Sequence, residues 1–360
     1  MPQSRPPLGP ILPRVMGARI PLTVSQHRMW KWLMTSGNGG MRVCAASIRV
    51  LGPLNHGCLH RSIQLVSERH ESLRTTIVSV DGIPEQCVGQ YRQDCLEEID
   101  LRNLPLPAAQ EKARCLAQGF IDRTIDLSVG PLFDALLLRV SDDEHVLVVA
   151  VEHLLSDAVS HRILIREIWT SYNQAARGAA ISLPPLPIQF GDYAVWQELT
   201  AEAWRKDNQV YWEQKLSGAP QLRLCPMRPS RNDQPAVGAW AHFPVGKRVT
   251  ERLRQIAGDR GAPLALVFLT VYAAAVSSFC SQRDLVIVLV SHGRHGRQEL
   301  SNVIGLIRDH LHLRLRLSTG ESFVSLLQQV QSEFSSASEH KDFDRVPMLI
   351  PECYAEALFN

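Results

Sequence analysis

The chain has 360 residues, an apolar fraction of 45% and a formal charge of +2 at neutral pH, which suits a globular protein of about two domains with real cores. Acidic and basic residues are interspersed without a basic tail or single-sign block, so neither nucleic acid nor a membrane surface is expected as a partner. No stretch reaches the length of a membrane span, and prolines around Arg5 and Arg14 interrupt the apolar run that a signal peptide would need. The eight cysteines, at 44, 58, 87, 95, 115, 225, 280 and 353, form no CxxC pair. Several lie in apolar runs, and free buried thiols in a reducing cytosol explain them.

Residues 1–20, with their prolines, are expected to be a flexible segment. Thr23 or Ser25 can then cap a helix carrying Gln26, Arg28, Met29, Trp30, Trp32, Leu33 and Met34 towards Gly37. Met29 and Trp30 read as its core-facing stripe. Met41 to Leu51 alternates as a strand does, and Leu54 to Arg69 has helical periodicity at Leu59, Ile63, Leu65 and Val66. That helix runs out into Arg69-His70-Glu71-Ser72-Leu73-Arg74. Two arginines and a glutamate around one leucine point to a guanidinium held by a carboxylate. An amphipathic helix between Pro105 and Asp122 precedes two strands, Leu132 to Val140 and Glu144 to Glu152, joined by the polar Ser141-Asp142-Asp143.

The second strand contains an unbroken apolar run, Val146 to Val151, as a strand buried on both faces would. Glu152, His153, Ser156 and Asp157 follow at its tip. An imidazole held there can serve as a general base of tunable proton affinity; the plainer alternative is a histidine satisfied by a carbonyl in a turn. Ser156 or Asp157 can cap the next helix, which runs to Ala176 and stops at Gly178. A capped or paired Asp157 is a scaffold and a poor proton acceptor. The proline-rich 178–189 stretch marks the expected domain boundary.

Beyond it, a long helix carries Trp196, Leu199, Trp204, Tyr211, Trp212 and Leu216 to Gly218, aromatics best read as packing. Helices over 249–261 and 264–280 and a strand over 284–290 complete the alternation. His310 and His312 share a strand face and His292 and His295 a turn, but no carboxylate or thiol set accompanies them, so no metal site is assigned. There is no GxGxxG, phosphate loop or GxSxG elbow.

Several of these segments resemble motifs of the condensation domains of nonribosomal peptide synthetases. Val151 to Ser160 is similar to that family's HHxxxDG segment and the serine after it. His153 matches the second histidine, Asp157 the aspartate and Ser160 the serine, while Glu152 replaces the first histidine and Ala158 the glycine. Ser25, Gln26, Arg28, Met29, Trp30 and Leu33 resemble the family's first motif, SxAQxRMWxL, Arg69 to Ile77 resembles the second, RHExLRTxF, and Phe190 to Trp196 resembles the fourth, YxDFAVW. Looser likenesses are Gly293, Arg294 and Glu299 to a GRxxxE turn, Ile304, Gly305 and Arg314 to IGxFVNTxxxR, and His340 to Phe343 to the opening of the sixth motif.

The resemblance implies an α/β fold with mixed sheets, in which two chloramphenicol-acetyltransferase-like halves, 21–180 and 181–360, form a V-shaped pseudo-dimer around a central tunnel. The second half is expected to be incomplete, because the chain stops at Phe359-Asn360 in what reads as the start of a strand. Met1 just upstream of the first motif suggests a free-standing enzyme. The implied reaction is transfer of a carrier-bound acyl, aminoacyl or peptidyl thioester to an amine or hydroxyl in secondary metabolism. His153 would be its catalytic group, and Asp157, Arg69, Arg74, Glu152, Ala158 and Ser160 would support the site, with an arginine of the second motif paired to Asp157. Ser25, Arg28, Ser156, Arg294 and Asp309 are tunnel candidates. No bound cofactor or metal is implied; substrates would come on phosphopantetheine arms of carrier proteins, with a small amine or alcohol as acceptor. Glu152 and Ala158 keep open a different reading, a catalytically silent relative that binds carrier proteins or recruits a partner enzyme.

Overall fold

The computed structural model of the chain describes residues 9–35, 43–90, 92–222, 241–294, 296–341 and 358–359. Two compact units emerge. One comprises Leu8–Thr200 and His292–Arg308, the other chiefly Ala201–Ser291 and Asp309–Asn360.

The first unit opens with β1 (Ile20–Pro21), α1 (Val24–Thr35), β2 (Val43–Leu51) and α2 (His56–Arg69). β3 (Thr75–Val80), β4 (Ile83–Val88), β5 (Leu96–Asp100), α3 (Leu106–Ile121), β6 (Phe133–Arg139), β7 (Glu144–Glu152) and α4 (Ala158–Ala176) follow. Its larger sheet has the order β2-β7-β6-β5, antiparallel except for the β5–β6 pair. The smaller is β1-β4-β3. β7 lies between two hydrogen-bonded neighbours, and Leu147, Val148, Val149 and Val151 are fully buried, which is why its apolar run lacks alternation. The β3–β4 hairpin was not expected from the sequence. Its turn is Asp81-Gly82, both at positive φ (51° and 80°), the conformation that lets a two-residue turn follow the strands' twist.

The expected boundary at 181 and the expected flexible 1–20 segment both need correction. Ile188, Phe190 and Tyr193, beyond the proline-rich stretch, pack with Leu300, Val303, Leu306 and Ile307, and Ile11 joins the same cluster. The first unit therefore extends through Thr200 and takes in 292–308. Within the described part of the N-terminal segment, Arg14 bridges Glu71 and Asp192, both at 2.7 Å. Residues 1–8 lie outside the described set.

α5 (Phe190–Leu216) runs across the division at Thr200. The second unit continues with α6 (Lys247–Asp259), α7 (Leu264–Cys280), β8 (Asp284–Ser291), β9 (Asp309–Arg316), α8 (Phe323–Glu339) and β10 (Leu358–Phe359). Its sheet is β10-β8-β9, with β10 parallel to β8. Arg314 forks onto Asp284 (2.9 and 2.7 Å) and also donates to the carbonyls of Lys215, Ser217 and Gly218 at the end of α5. It thereby serves a helix C-terminus whose carbonyls have no partner within the helix. Hydrogen bonding from Arg314 holds the Asp284 carboxyl below the usual range. Among the described residues no single helix is long and apolar enough to cross a membrane. The described cysteines are free thiols, but Cys87 and Cys115 are exposed rather than buried.

Candidate active site

The tip of β7 is built by local rules and then locked by distant ones. A single tight turn, His153 to Leu155, follows the strand and buries Leu154 and Leu155 completely. Thr23 caps α1 by accepting from the N–H of Gln26, while the Gln26 side chain accepts from the N–H of Thr23, a reciprocal capping box. The Gln26 amide also donates to the Leu154 carbonyl at 2.9 Å, so the first motif pins the turn that carries the histidine. Met29 and Trp30 pack on the core beside it, as their spacing predicted.

His153 is half-buried, and its Nδ1 lies 2.8 Å from the carbonyl oxygen of Ser156. A carbonyl only accepts, so this contact assigns the ring proton to Nδ1 and leaves the lone pair on Nε2. Burial, helped by the charge of Arg308, pushes the imidazole below its ordinary proton affinity; the Ser156 carbonyl and Asp157 oppose this without reversing it. The ring is therefore a neutral base near pH 7. The Cys44 Sγ lies 3.1 Å from Nδ1, brought there because β2 pairs with β7 in the register Cys44 to Val151. Burial pushes the Cys44 thiol up to about 12, so it remains a neutral packing group and not a nucleophile.

Asp157 is 4% exposed and its carboxylate accepts four hydrogen bonds. Oδ1 takes the Ser160 N–H and hydroxyl, each at 2.8 Å; Oδ2 takes Arg294 at 2.9 Å and the Ile307 N–H at 3.0 Å. The Ser160 N–H bond is the N-cap of α4. Ser160, also fully buried, has one hydroxyl hydrogen, shared between Asp157 and the Gly305 carbonyl, and its oxygen accepts from the Gly305 N–H and from Arg294. The expectation that an arginine of the second motif holds Asp157 is overturned. Arg69 instead binds Glu167 at 3.1 Å and the Pro184 carbonyl, and Arg74 binds the Gly89 carbonyl. Burial alone would raise the Glu167 carboxyl, but bonding to His70 and the charge of Arg69 hold it down.

Gly305 explains its own residue type by crowding rather than by φ. A Cβ there would overlap the ring of Phe190, which is 2% exposed. Gly305→Ala should therefore destabilise the first unit by about 1–3 kcal/mol, measured by urea denaturation; an unchanged midpoint would show that the ring moves aside freely.

The other expected residues lie at the following places. Glu152 is fully buried at the end of β7, opposite Val43. Ala158 opens α4 and is not among the residues with positive φ, so the missing glycine causes no backbone strain. Ser156 is fully buried and acts through its carbonyl, so it does not line open space. Arg294 is committed to Asp157 and Ser160, although one side of it borders a cavity of about 580 Å³ with Val159, Arg162 and His292. The Ser25 hydroxyl donates to the Arg308 carbonyl, and Arg28 stands one turn further along α1. Asp309 belongs to the second unit, 3.6 Å from Lys341. The sixth motif beyond Lys341 lies outside the described residues. Sequence reasoning did not single out Arg308 or Cys44; an arginine within an otherwise apolar stretch, Leu306-Ile307-Arg308, was the available signal.

The Condensation domain family matches residues 17–347. Phosphinothricin tripeptide synthetase PhsC of Streptomyces viridochromogenes is 33% identical over 91% of this chain, which spans 30% of that protein's length. In structure, the chain is similar to the X-domain solved in complex with OxyB from teicoplanin biosynthesis, with a TM-score of 0.77 at 23% identity, covering 96% of this chain and 76% of that one. It is likewise similar to the first condensation domain of the calcium-dependent antibiotic synthetase, with a TM-score of 0.74 at 21% identity over 95% of this chain and 80% of that one.

Proposed function

This chain belongs to the condensation-domain family, and from that premise we propose that it transfers an acyl, aminoacyl or peptidyl group from a carrier-bound thioester to an amine or hydroxyl acceptor. The observation that carries this reading is the state of His153: Nδ1 tied to the Ser156 carbonyl, Nε2 left with its lone pair, and the ring kept neutral by burial. The acceptor nitrogen or oxygen attacks the thioester carbonyl carbon while Nε2 orients it and takes its proton. The new bond forms, the tetrahedral oxyanion collapses, the carbon–sulfur bond breaks, and the proton passes to the departing pantetheine thiolate. Asp157 takes no part in proton transfer, because its oxygens are filled. The oxyanion is assigned to the amides of Asp157 or Ala158 at the start of α4, since the first N–H groups of a helix have no partner within it.

The test is incubation of the protein with acyl-loaded carrier proteins and candidate amines or alcohols, with product followed by mass spectrometry. Because the imidazole's proton affinity lies below the ordinary value, the acidic limb of the rate profile should have its midpoint below pH 6.5. The rate falls as acid protonates Nε2; a midpoint above 6.5 would exclude this histidine as a base kept neutral by its surroundings.

A second reading has its own support. The position of the family's first histidine holds a fully buried glutamate, Glu152, and the fold is similar to that of an X-domain solved with OxyB. On that reading the chain binds a carrier-borne peptide or a partner enzyme without turnover, and carrier binding with no product under any acceptor would favour it.

A further inference from the structure

Arg308 is a charged group in the site that the reaction scheme leaves without a task. Its backbone is held on both sides. The N–H of the preceding residue, Ile307, binds Asp157, and its own carbonyl accepts from Ser25 on α1. The guanidinium is half-buried, its Nε is shut off from solvent with no hydrogen-bond partner, and no ion pair reaches it among the described residues. Its charge is felt by His153, Cys44, Asp157 and Arg28, so it shares one neighbourhood with the proposed base. Asp157 is not free to neutralise it, since four donors already occupy that carboxylate. Arg28 lies three residues after Ser25, on the same helix face, and adds a second positive charge. A half-buried guanidinium is a planar fork suited to a carboxylate, and leaving it without an anion is costly.

We propose that Arg308, with Arg28 reinforcing its field, binds the carboxylate of a free amino-acid-type acceptor and so orients the acceptor's amine towards His153. This rests on the acyl-transfer reading above. The chemistry decides the kind of anion. An α-carboxylate sits on the carbon next to the attacking amine, within reach of a group beside the base. The phosphodiester of a pantetheine arm is separated from the thioester by the whole arm. A carrier-bound acceptor has lost this charge, because its carboxyl is a thioester. Arg308 therefore selects an acceptor that arrives unattached.

The test compares L-amino acids with their carboxamides and with their N-acetylcysteamine thioesters, which keep the amine and lack the carboxylate. Binding to the full chain is measured by calorimetry, and turnover with an acyl-loaded carrier is measured separately. Wild type should bind and use the carboxylate form about 10- to 100-fold better, chiefly through KM. Arg308→Val should bring the carboxylate form down to the carboxamide level, and Arg308→Lys should keep part of the preference. Arg308→Val should also move the acidic limb of the rate profile upward, because a positive charge near His153 is removed. Equal use of carboxylate and carboxamide by wild type, or a preference that survives Arg308→Val, overturns the proposal while leaving acyl transfer standing. Carboxylate-selective binding that Arg308→Val abolishes, without product from any acceptor, upholds the anion site and removes the acyl-transfer reading. Loss of 4′-phosphopantetheine binding alone in Arg308→Val overturns the carboxylate assignment in favour of the arm.

Discussion

Asp157→Ala is expected to destabilise the first unit by about 3–5 kcal/mol, the cost of orphaning a buried charge. Arg294 is 7% exposed and would lose its only carboxylate partner among the described residues, while Ile307 and Ser160 would lose acceptors for buried N–H and hydroxyl donors. The N-cap of α4 would go with them. Denaturation by urea reads the loss directly. A double variant, Asp157→Ala with Arg294→Met, should recover part of it, because removing both charges leaves nothing buried and unpaired. A single-variant loss below about 1 kcal/mol, the worth of an exposed ion pair, would mean that water reaches this network and that Asp157 is not its keystone. Activity should vanish with the fold, so Asp157 variants report on positioning and not on proton transfer.

His153→Ala should behave in the opposite way. Its ring is half-buried and its one strong bond is to the Ser156 carbonyl, so stability should change by about 1 kcal/mol or less. Loss of a general base should lower the acyl-transfer rate about 10²- to 10⁴-fold. The contrast between the two variants separates chemistry from scaffold: one keeps the fold and loses the rate, the other loses both. A His153→Ala protein that turns over at the wild-type rate would leave the imidazole as a mere turn residue. The acceptor amine would then lose its proton to solvent, and the chain's part would be reduced to bringing donor and acceptor together.

Apart from the network around Asp157, the second and fourth motifs share a purpose of their own. Gln189, just before α5, donates to the Arg69 carbonyl at 3.0 Å and accepts from the Glu71 N–H at 3.2 Å, and Arg14 ties Glu71 to Asp192. Both motifs are scaffolding that holds each other. Their dense charge, which suggested one ion pair to the active-site aspartate, is used in pairs of their own with Glu167 and Arg14. The sequence indicated that guanidinium–carboxylate pairing takes place there; it could not indicate which carboxylate.

Features that depend on near neighbours along the chain were legible in the order of the amino acids. The apolar run of β7, the hairpin with β6, the cap at Asp157 and the stop at Gly178 all follow from periodicity and from residue preferences at helix ends. The Asp81-Gly82 turn was of the same kind and equally legible, since both residues tolerate positive φ. Features that depend on partners far apart in the chain became visible in the folded molecule alone. Arg294 lies 137 residues from Asp157, and Ile307 lies 150; Cys44 reaches His153 through strand register, and Arg308 through the return of 292–308 to the first unit. A buried carboxylate must be satisfied by some donor, and many arginines in the sequence could serve. The choice among them is made by packing, because the cluster of Ile188, Phe190, Tyr193, Leu300, Val303, Leu306 and Ile307 draws the 292–308 segment against the site.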